Sequence, residues 1–155
     1  MASQLERVRS FLDDAERDAF ATVCHWRDCH RCACFGLLSS ARLLRDVPAT
    51  HRLAREEVFG PVLAAMPFRD EEEAIRFANA TDFGLVAGVW TRDGSRQLRM
   101  ARALKSGQVF INNYGAGGGI EVPFGGVKAS GYGREKGFEA LHGFSVVKTV
   151  VIERG

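Results

Sequence analysis

The chain has 155 residues, of which 46% are hydrophobic and 26% charged, and its formal net charge is +2. This composition is typical of one ordinary globular domain and does not indicate a disordered protein. The small net charge and the dispersed arginines argue against a nucleic-acid-binding protein. No run approaches eighteen apolar residues and the N-terminus is charged, so we expect neither a membrane span nor a secretory signal. The expected location is the cytoplasm, where thiols stay reduced.

Residues 1–19 predict one amphipathic helix. Its apolar positions recur at helical spacing with charged residues between them: Leu5, Val8, Leu12 and Ala15. Such a pattern gives a helix with a single face for burial. From residue 20 to residue 42 the hydrophobic pattern has neither a helical nor a strand period. We therefore treat 20–42 as an insert between the helix and a C-terminal region, 43–155.

The C-terminal region alternates short apolar runs with helical patterns. The runs at 62–68, 85–90 and 108–112 predict buried strands. Two helices lie between them, with Asp70 and Asp93 as their N-caps. Strand, helix, strand, helix, strand with short connections predicts a right-handed crossover βαβαβ unit on a mainly parallel sheet. The expected fold class is α/β.

Local signals place the ends of these helices and the rest of the chain. Glu73 follows the first cap by three residues, which is the spacing of a capping box, and Gly107 ends the second helix. From Gly115 onward the sequence is glycine-rich and predicts an extended loop. A short helix at 135–141 and a closing β-branched strand, SVVKTVVIE, follow.

The glycine-rich loop does not fit a phosphate-binding motif. GAGGGIEV fails the last position of G-x-G-x-x-G and does not lead into a helix N-terminus, and GGVK lacks the adjacent Gly-Lys of a P-loop. Glycines in such a loop also allow two backbone segments to approach closely. We therefore expect these glycines to serve backbone packing.

The stretch EEVFGPV, residues 56–62, allows two interpretations. A carboxylate just before a buried strand can accept hydrogen bonds from sugar hydroxyls, and Phe59 can offer an apolar face to a flat ring. Alternatively, the two glutamates are a solvated charge pair that precedes a core phenylalanine. The residues alone leave both interpretations open.

Several stretches together resemble the C-terminal part of the NAD(P)-dependent aldehyde dehydrogenase superfamily. They are REEVFGPVLAAMPF, ANATDFGLVAGVWTRD, ARALKSGQVFINNY and VPFGGVKASGYGREKGFEALHGFSVVKTV. The resemblance runs almost without gaps from about residue 43 to the C-terminus, and its motifs stand in the family's order. The opening helix, QLERVRSFLDDAERD, also resembles a family helix.

The resemblance implies roles at matching positions. Glu57 matches the residue that binds the nicotinamide ribose hydroxyls, and Phe59 matches the residue that packs beside the nicotinamide ring. Asn112 and Tyr114 match positions near the aldehyde tunnel, and Phe124 matches a position at the substrate mouth. The implied cofactor is NAD or NADP and the implied substrate is an aldehyde. Binding of the cofactor by this chain alone is not expected.

The last strand, Val146 to Ile152, resembles the family's oligomerisation strand, so the resemblance implies self-association. An unpaired β-branched edge strand would in any case seek a partner. This gives an alternative function of another class, in which the chain is an interaction module that pairs through its C-terminal strand.

The family's chemistry needs a nucleophilic cysteine and a general base. No cysteine of this chain stands in an Asn-x-Gly-Gln-x-Cys-like context, and no Glu-Leu-Gly-Gly stretch is present. The chain corresponds to about the last third of a family member. We therefore expect no catalytic residue here and no turnover by this chain alone.

The insert contains all four cysteines, at spacings of five, three and two: Cys24, Cys29, Cys32 and Cys34. With His25 and His30 they could form a tetrahedral zinc site, which makes a small zinc-binding protein a further alternative. The paired C-x₂-C knuckles of a strong zinc motif are absent. Family-like sequence on both sides of unlike sequence is also the pattern that a compensated frameshift leaves, and we favour that interpretation.

Overall fold

The fold is that of a computed structural model, and the residues it describes are 2–25, 41–115 and 119–155. The helices are α1 (Ala2–Arg17), α2 (Arg52–Arg55), α3 (Glu71–Asn79), α4 (Gly94–Ala103) and α5 (Glu139–Gly143), with a 3₁₀ turn at Lys128–Ser130. The strands are β1 (Ala21–His25), β2 (Arg42–Arg45), β3 (Val62–Ala65), β4 (Val86–Val89) and β5 (Gln108–Ile111). The chain divides into two compact units, Met1–Thr81 and Asp82–Gly155.

The first unit is a three-stranded sheet with helix α1. Strand β2 lies in the middle, antiparallel to β1 and parallel to β3. The apolar face of α1 packs into the buried cluster of this unit, as its helical spacing predicts. The cluster consists of Val8, Phe11, Leu12, Ala15, Leu44, Val47, Leu53 and Val58. The predicted N-terminal amphipathic helix is therefore confirmed.

The second unit contains the parallel pair β4 and β5, with α4 between them in the sequence. Val86 is the register partner of Gln108, and Val89 is the partner of Ile111. Among the described residues of this unit, three apolar side chains are buried: Val89, Met100 and Leu104. One strand, a connecting helix and a parallel strand form the βαβ arrangement that the sequence predicts.

Both predicted N-caps are present. The Asp70 carboxylate accepts from the backbone N–H of Glu73 at 2.8 Å, and the Asp93 carboxylate accepts from the N–H of Arg96 at 3.1 Å. The return bond of the capping box is displaced by one residue, because the Glu73 carboxylate accepts from the N–H of Arg69 at 2.8 Å. Both helices therefore begin where the sequence predicts.

The α/β class is confirmed, but the three predicted strands do not form one βαβαβ sheet. Strand β3 pairs with β2, whereas β4 pairs with β5 in a separate sheet. Strand β2 was not predicted, and it offers β3 a parallel partner over its whole length. Strand β1 lies inside the predicted 20–42 insert and pairs with β2. These pairings join residues far apart in sequence, which a local hydrophobic pattern does not encode.

Two predictions for the C-terminus are corrected. The short helix is α5, which begins four residues later than the predicted 135–141. The stretch from Val146 to Ile152 forms no strand in the described chain, and Val146, Val147 and Val151 are between 88% and 95% exposed. A strand exists only where another strand satisfies its backbone groups, and this stretch has no such neighbour within the described chain.

None of the described helices is both long enough and apolar enough to cross a membrane.

Candidate functional site

The segment Glu56–Gly60 connects α2 to the approach of β3 and lies in the first unit. It borders a groove of about 470 Å³. Glu57 and Phe59 line this groove together with apolar residues of β3 and its flanks, among them Leu63 and Met66. The structure therefore brings the two residues predicted to bind the cofactor to one concave surface.

The two adjacent glutamates differ in their partners. The Glu56 carboxylate lies 3.8 Å from a guanidinium nitrogen of Arg7 and 3.8 Å from one of Arg52. Within the described ranges, the Glu57 carboxylate forms no hydrogen bond or ion pair with another side chain, and only the backbone oxygen of this residue is engaged. Glu57 is thus the glutamate whose carboxylate is available to a ligand.

Phe59 is not the core residue that the alternative interpretation of EEVFGPV required. It is 74% exposed, and its φ of +54° lies in the left-handed region. Val58 points inward instead and is buried in the core of the unit. An exposed aromatic ring on a groove wall suits a flat ligand better than it suits protein packing.

Asn112 belongs to the second unit, where it forms hydrogen bonds with Thr91 and Val89. Its side-chain oxygen accepts from the N–H of Thr91 at 2.8 Å, and its side-chain nitrogen donates to the Thr91 carbonyl at 2.9 Å. Its own backbone N–H donates to the Val89 carbonyl at 2.7 Å. The amide therefore ties the end of β5 to the residues that follow β4, and this role was not predicted.

Tyr114 and Phe124 also lie in the second unit and differ in exposure. Tyr114 is 71% exposed, whereas Phe124 is half-buried. The backbone of Phe124 exchanges two hydrogen bonds with Glu135, at 2.7 Å and 2.6 Å. The Lys136 ammonium lies 5.6 Å from the Phe124 ring centroid, which is within cation–π range. Phe124 is therefore held in place, while Tyr114 is free to contact a ligand.

The sequence did not point to two polar residues that hold the segment around Phe124. Buried Gln108 donates from its side chain to the Pro123 carbonyl at 3.0 Å, and Arg134 donates to the Gly126 carbonyl at 3.0 Å. The sequence did contain one signal for Gln108, namely a glutamine at the first position of a strand predicted to be buried. A buried side-chain amide needs a hydrogen-bond partner, so such a residue is expected to hold a neighbouring segment.

The packing role is confirmed for Gly125 and Gly126 of GGVK. In GAGGGIEV, residues 116–118 lie outside the described residues, and a Cβ on Gly115 would meet only the Phe110 ring, at 3.7 Å. A Cβ on Gly107 would lie 1.7 Å from the Gly125 carbonyl oxygen, and one on Gly125 would lie 2.6 Å from the Gly133 carbonyl oxygen. A Cβ on Gly126 would meet Ser130 at 2.5 Å. These backbone segments approach too closely for any other residue.

The carboxylates with shifted pKa values form ion pairs and N-cap bonds of the helices, and they do not line the groove. The guanidinium of Arg52 lowers the pKa of Asp14, and that of Arg69 lowers the pKa of Glu73. The N–H of Arg96 lowers the pKa of Asp93 through the N-cap bond. Each group is anchored by a hydrogen bond to its ionised form, so none is tuned for proton transfer.

No group of three or more metal-ligating side chains occurs among the residues that the structure describes. Cys29, Cys32 and Cys34, with the side chain of Cys24, lie outside those residues. The proposed zinc site and the alternative origin of this stretch therefore stay predictions.

Comparison with known proteins gives matches over nearly the whole chain. The sequence model of the Aldehyde dehydrogenase family matches residues 1–150. A betaine aldehyde dehydrogenase from Cereibacter sphaeroides (strain ATCC 17029) is 42% identical over 153 residues, which is 99% of this chain and 31% of that protein. The NADP/NAD-dependent aldehyde dehydrogenase PuuC from Escherichia coli K12 is 52% identical over 107 residues, 69% of this chain and 21% of that protein.

Solved structures agree with the sequence matches. An assigned aldehyde dehydrogenase from Burkholderia cenocepacia has a TM-score of 0.89 and 59% identity, covering 100% of this chain and 33% of that chain. A Mycobacterium tuberculosis aldehyde dehydrogenase complexed with NAD⁺ has a TM-score of 0.82 and 32% identity, covering 93% and 29%. The chain thus spans about a third or less of the length of the relatives it matches. Because the family match covers nearly every residue, the chain belongs to the aldehyde dehydrogenase family.

Proposed function

We propose that this chain is the coenzyme-facing and substrate-facing part of an NAD(P)-dependent aldehyde dehydrogenase, which oxidises an aldehyde to a carboxylic acid. The observation that carries the proposal is that one groove is lined both by the Glu57 carboxylate, which has no side-chain partner among the described residues, and by the exposed Phe59 ring. The M. tuberculosis relative that shares this fold was solved with NAD⁺, which supports a nicotinamide dinucleotide as the ligand.

The two groove residues fit the two ends of a nicotinamide riboside. A carboxylate with both oxygens free accepts hydrogen bonds from adjacent ribose hydroxyls. An exposed aromatic face packs against a flat ring and excludes water from it. The bound coenzyme supplies the hydride acceptor, and the protein supplies the binding and the orientation.

In the second unit, Tyr114 and Phe124 give apolar surface for the aldehyde. Asn112 supports this wall indirectly. Its side-chain amide forms two hydrogen bonds with the Thr91 backbone and so fixes the end of β5, and Tyr114 follows shortly after that end. The nucleophile is not assigned to this chain, since none of its cysteines has the expected sequence context. We therefore propose that the isolated chain does not turn over aldehyde.

The test is a titration of the chain with NAD⁺, followed by the amide chemical shifts of residues 56–60. The sequence alone predicts no cofactor binding by the isolated chain, but the exposed groove in the structure leads us to expect weak binding, with saturable shifts at Glu57 and Phe59. Glu57→Gln and Phe59→Leu should each weaken this binding about tenfold. Glu72→Gln is the matched control, because Glu72 is an exposed glutamate on α3, outside the groove lining. Absence of shifts in the parent chain, or equal weakening by the control, contradicts the proposed coenzyme contact. An aldehyde-dependent rise in NADH absorbance that Glu57→Gln abolishes contradicts the proposed inactivity.

The second candidate function is self-association through the C-terminal stretch. Val146, Val147, Val151 and Ile152 are all at least 81% exposed, which is costly for β-branched apolar side chains in water. Pairing with the same stretch, or with a sheet edge of a second copy, would bury them. Light scattering should show a dimer or larger oligomer that truncation after Phe144 abolishes. An oligomer that survives the truncation, or a monomeric parent chain, contradicts this function.

Two further expectations stay predictions. Zinc bound at the four cysteines is tested by metal analysis after dialysis, with one equivalent per chain as the positive result. The cytoplasmic location is tested by fractionation of cells that express the chain.

A further inference from the structure

Three successive backbone carbonyls of the groove segment are held by side chains of helix α1. Arg7 donates to the Glu57 carbonyl from Nε at 3.2 Å and from Nη2 at 2.7 Å. Gln4 donates from Nε2 to the Val58 carbonyl at 3.2 Å and also to the Phe59 carbonyl. Residues 57–59 belong to no helix or strand, so these bonds replace the partners that regular structure would provide.

The two donors are placed for this by the helix itself. Gln4 and Arg7 are three residues apart, so they lie on one face of α1. The same helix also fixes the end of the segment, because a Cβ on Gly60 would lie 2.4 Å from a methyl carbon of Val8. Val8 is buried in the core of the unit, so the donors stand on a rigid support.

The conformation that these bonds hold is a strained one. Phe59 has a φ of +54°, and a residue with a Cβ in the left-handed region costs about 1–2 kcal/mol. Such a conformation persists only where the surroundings determine it more strongly than the strain opposes it. Hydrogen bonds to the carbonyls on both sides of the Phe59 N–Cα bond, those of Val58 and Phe59, supply that constraint.

The arrangement also separates the roles of the two glutamates. Arg7 lies near the Glu56 carboxylate but donates to the backbone oxygen of Glu57. It therefore draws the first carboxylate toward α1 and leaves the second free. A contact with the backbone, in contrast to one with the side chain, fixes Glu57 without occupying the group that a ligand would use.

We infer that Gln4 and Arg7 are positioning residues, which hold residues 57–59 so that the Glu57 carboxylate and the Phe59 ring face the coenzyme. This inference rests on the proposed function, in that the ligand is the nicotinamide riboside of NAD(P). Gln4 and Arg7 act through the main chain and not by contact with the coenzyme. A segment already held in its binding conformation loses less entropy when the ligand arrives, which raises affinity.

The experiment uses the full chain with Gln4→Met and Arg7→Met, singly and together. Methionine keeps the length and apolar contacts of both side chains but removes the donors. Arg9→Met is the matched control, because Arg9 is exposed on the same helix and, in the described chain, forms no hydrogen bond or ion pair with residues 57–59. All measurements are made well below the thermal unfolding midpoint of each variant, so that every sample is folded.

Two quantities are measured. The first is the coupling constant between the amide and α protons of Phe59, which reports its φ angle, together with hydrogen exchange at Phe59 and Gly60. The second is the dissociation constant for NAD⁺. We expect the double variant to lose the left-handed φ of Phe59 and to bind NAD⁺ about tenfold more weakly, a change of about 1.4 kcal/mol. The control should change neither quantity.

Each other outcome has a definite meaning. An unchanged Phe59 φ in the double variant overturns the inference, whatever happens to binding. Weaker binding with an unchanged φ means that Gln4 or Arg7 contacts the coenzyme directly, which also overturns it. If the parent chain does not bind NAD⁺, the proposed coenzyme function fails, while the φ of Phe59 in the variants still decides whether α1 positions the segment.

Discussion

Each of the two units of this chain is stabilised in a different way. In Met1–Thr81, the described residues include eight buried apolar side chains from α1, β2, α2 and the adjoining loops, which form one cluster that contains the fully buried Phe11. In Asp82–Gly155, the described residues bury three apolar side chains, and most of the large apolar side chains from Ile120 onward are exposed. The first unit therefore depends on apolar burial. The second depends to a greater degree on backbone hydrogen bonds and close glycine contacts.

The difference bears on the proposed function, because the two kinds of support suit the two proposed ligand surfaces. The groove with Glu57 and Phe59 stands on a packed core and is clamped by α1. The segment around Phe124 is instead fixed by bonds to Glu135, Gln108 and Arg134. A site that must hold one coenzyme geometry gains from a packed support. A loop held by a few polar contacts can vary in sequence without loss of a core.

The largest expected effect tests the apolar support of the first unit. Phe11→Ala removes a fully buried ring that also lies 3.8 Å from the Arg52 guanidinium. We expect it to lower the free energy of unfolding by about 4 kcal/mol, whereas Met100→Ala in the second unit should cost about 2 kcal/mol. Denaturant unfolding followed by hydrogen exchange in β2 and in β5 measures both. Equal costs for the two truncations would contradict the comparison.

The parts of the fold that depend on contacts between sequence neighbours could be predicted, whereas those that depend on contacts between distant residues could not. The first residues of α3 and α4 follow from Asp70 and Asp93, because an N-cap bond spans three residues and is encoded locally. The predicted end of α4 was wrong, since the helix ends at Ala103 and not at Gly107. The pairing of β3 with β2 was missed, because it depends on Arg42–Arg45, a short strand without a local signal. Strands β4 and β5 were found because both are apolar runs bounded by turn residues.

The site was predictable in its residues but not in its arrangement. EEVFGPV alone left a ligand-facing carboxylate as one of two interpretations, and only the resemblance to the family favoured Glu57 over Glu56. Arg7 of α1 and Arg52 of α2 make that distinction in space, and of the two only Arg7 lies far from Glu56 in the sequence. The bonds from Gln4 were likewise unpredictable, since they join residues more than fifty positions apart. Side-chain to backbone contacts of this kind leave no periodic pattern.

The next effect tests the backbone support of the second unit. Gly107→Ala places a Cβ 1.7 Å from the Gly125 carbonyl oxygen, so one backbone segment must move. We expect a loss of about 3 kcal/mol, measured as faster hydrogen exchange at Gln108 and Val127, whose N–H groups bond in this region. Gly94→Ala is the matched control, because a Cβ there meets nothing within 4 Å, and its effect should stay within about 0.5 kcal/mol. Similar effects of the two substitutions would show that close glycine contacts do not support this unit.

The smallest expected effect is a change in the pH dependence of stability of the second unit, which comes from the Asp93 carboxylate. Asp93 has a lowered pKa because its ionised carboxylate accepts from the N–H of Arg96. A carboxylate with a lowered pKa in the folded state stabilises the protein above its unfolded-state pKa, and this contribution is lost as the pH falls through the folded-state value. Asp93→Ser keeps a cap oxygen but removes the titration. We therefore expect the parent and the variant to have similar stability at neutral pH.

Below about pH 4, the parent should lose more stability than Asp93→Ser, because only the aspartate becomes protonated. Hydrogen exchange of the α4 amides, corrected for intrinsic rates, measures the difference across the pH range. In the first unit, Asp14 and Glu73 also have lowered pKa values, through Arg52 and Arg69, so the acid sensitivity of that unit should remain in the variant. If Asp93→Ser instead removes the acid sensitivity of β2 and β3, the cap of α4 stabilises both units, and the separation of the chain into two differently supported units is wrong.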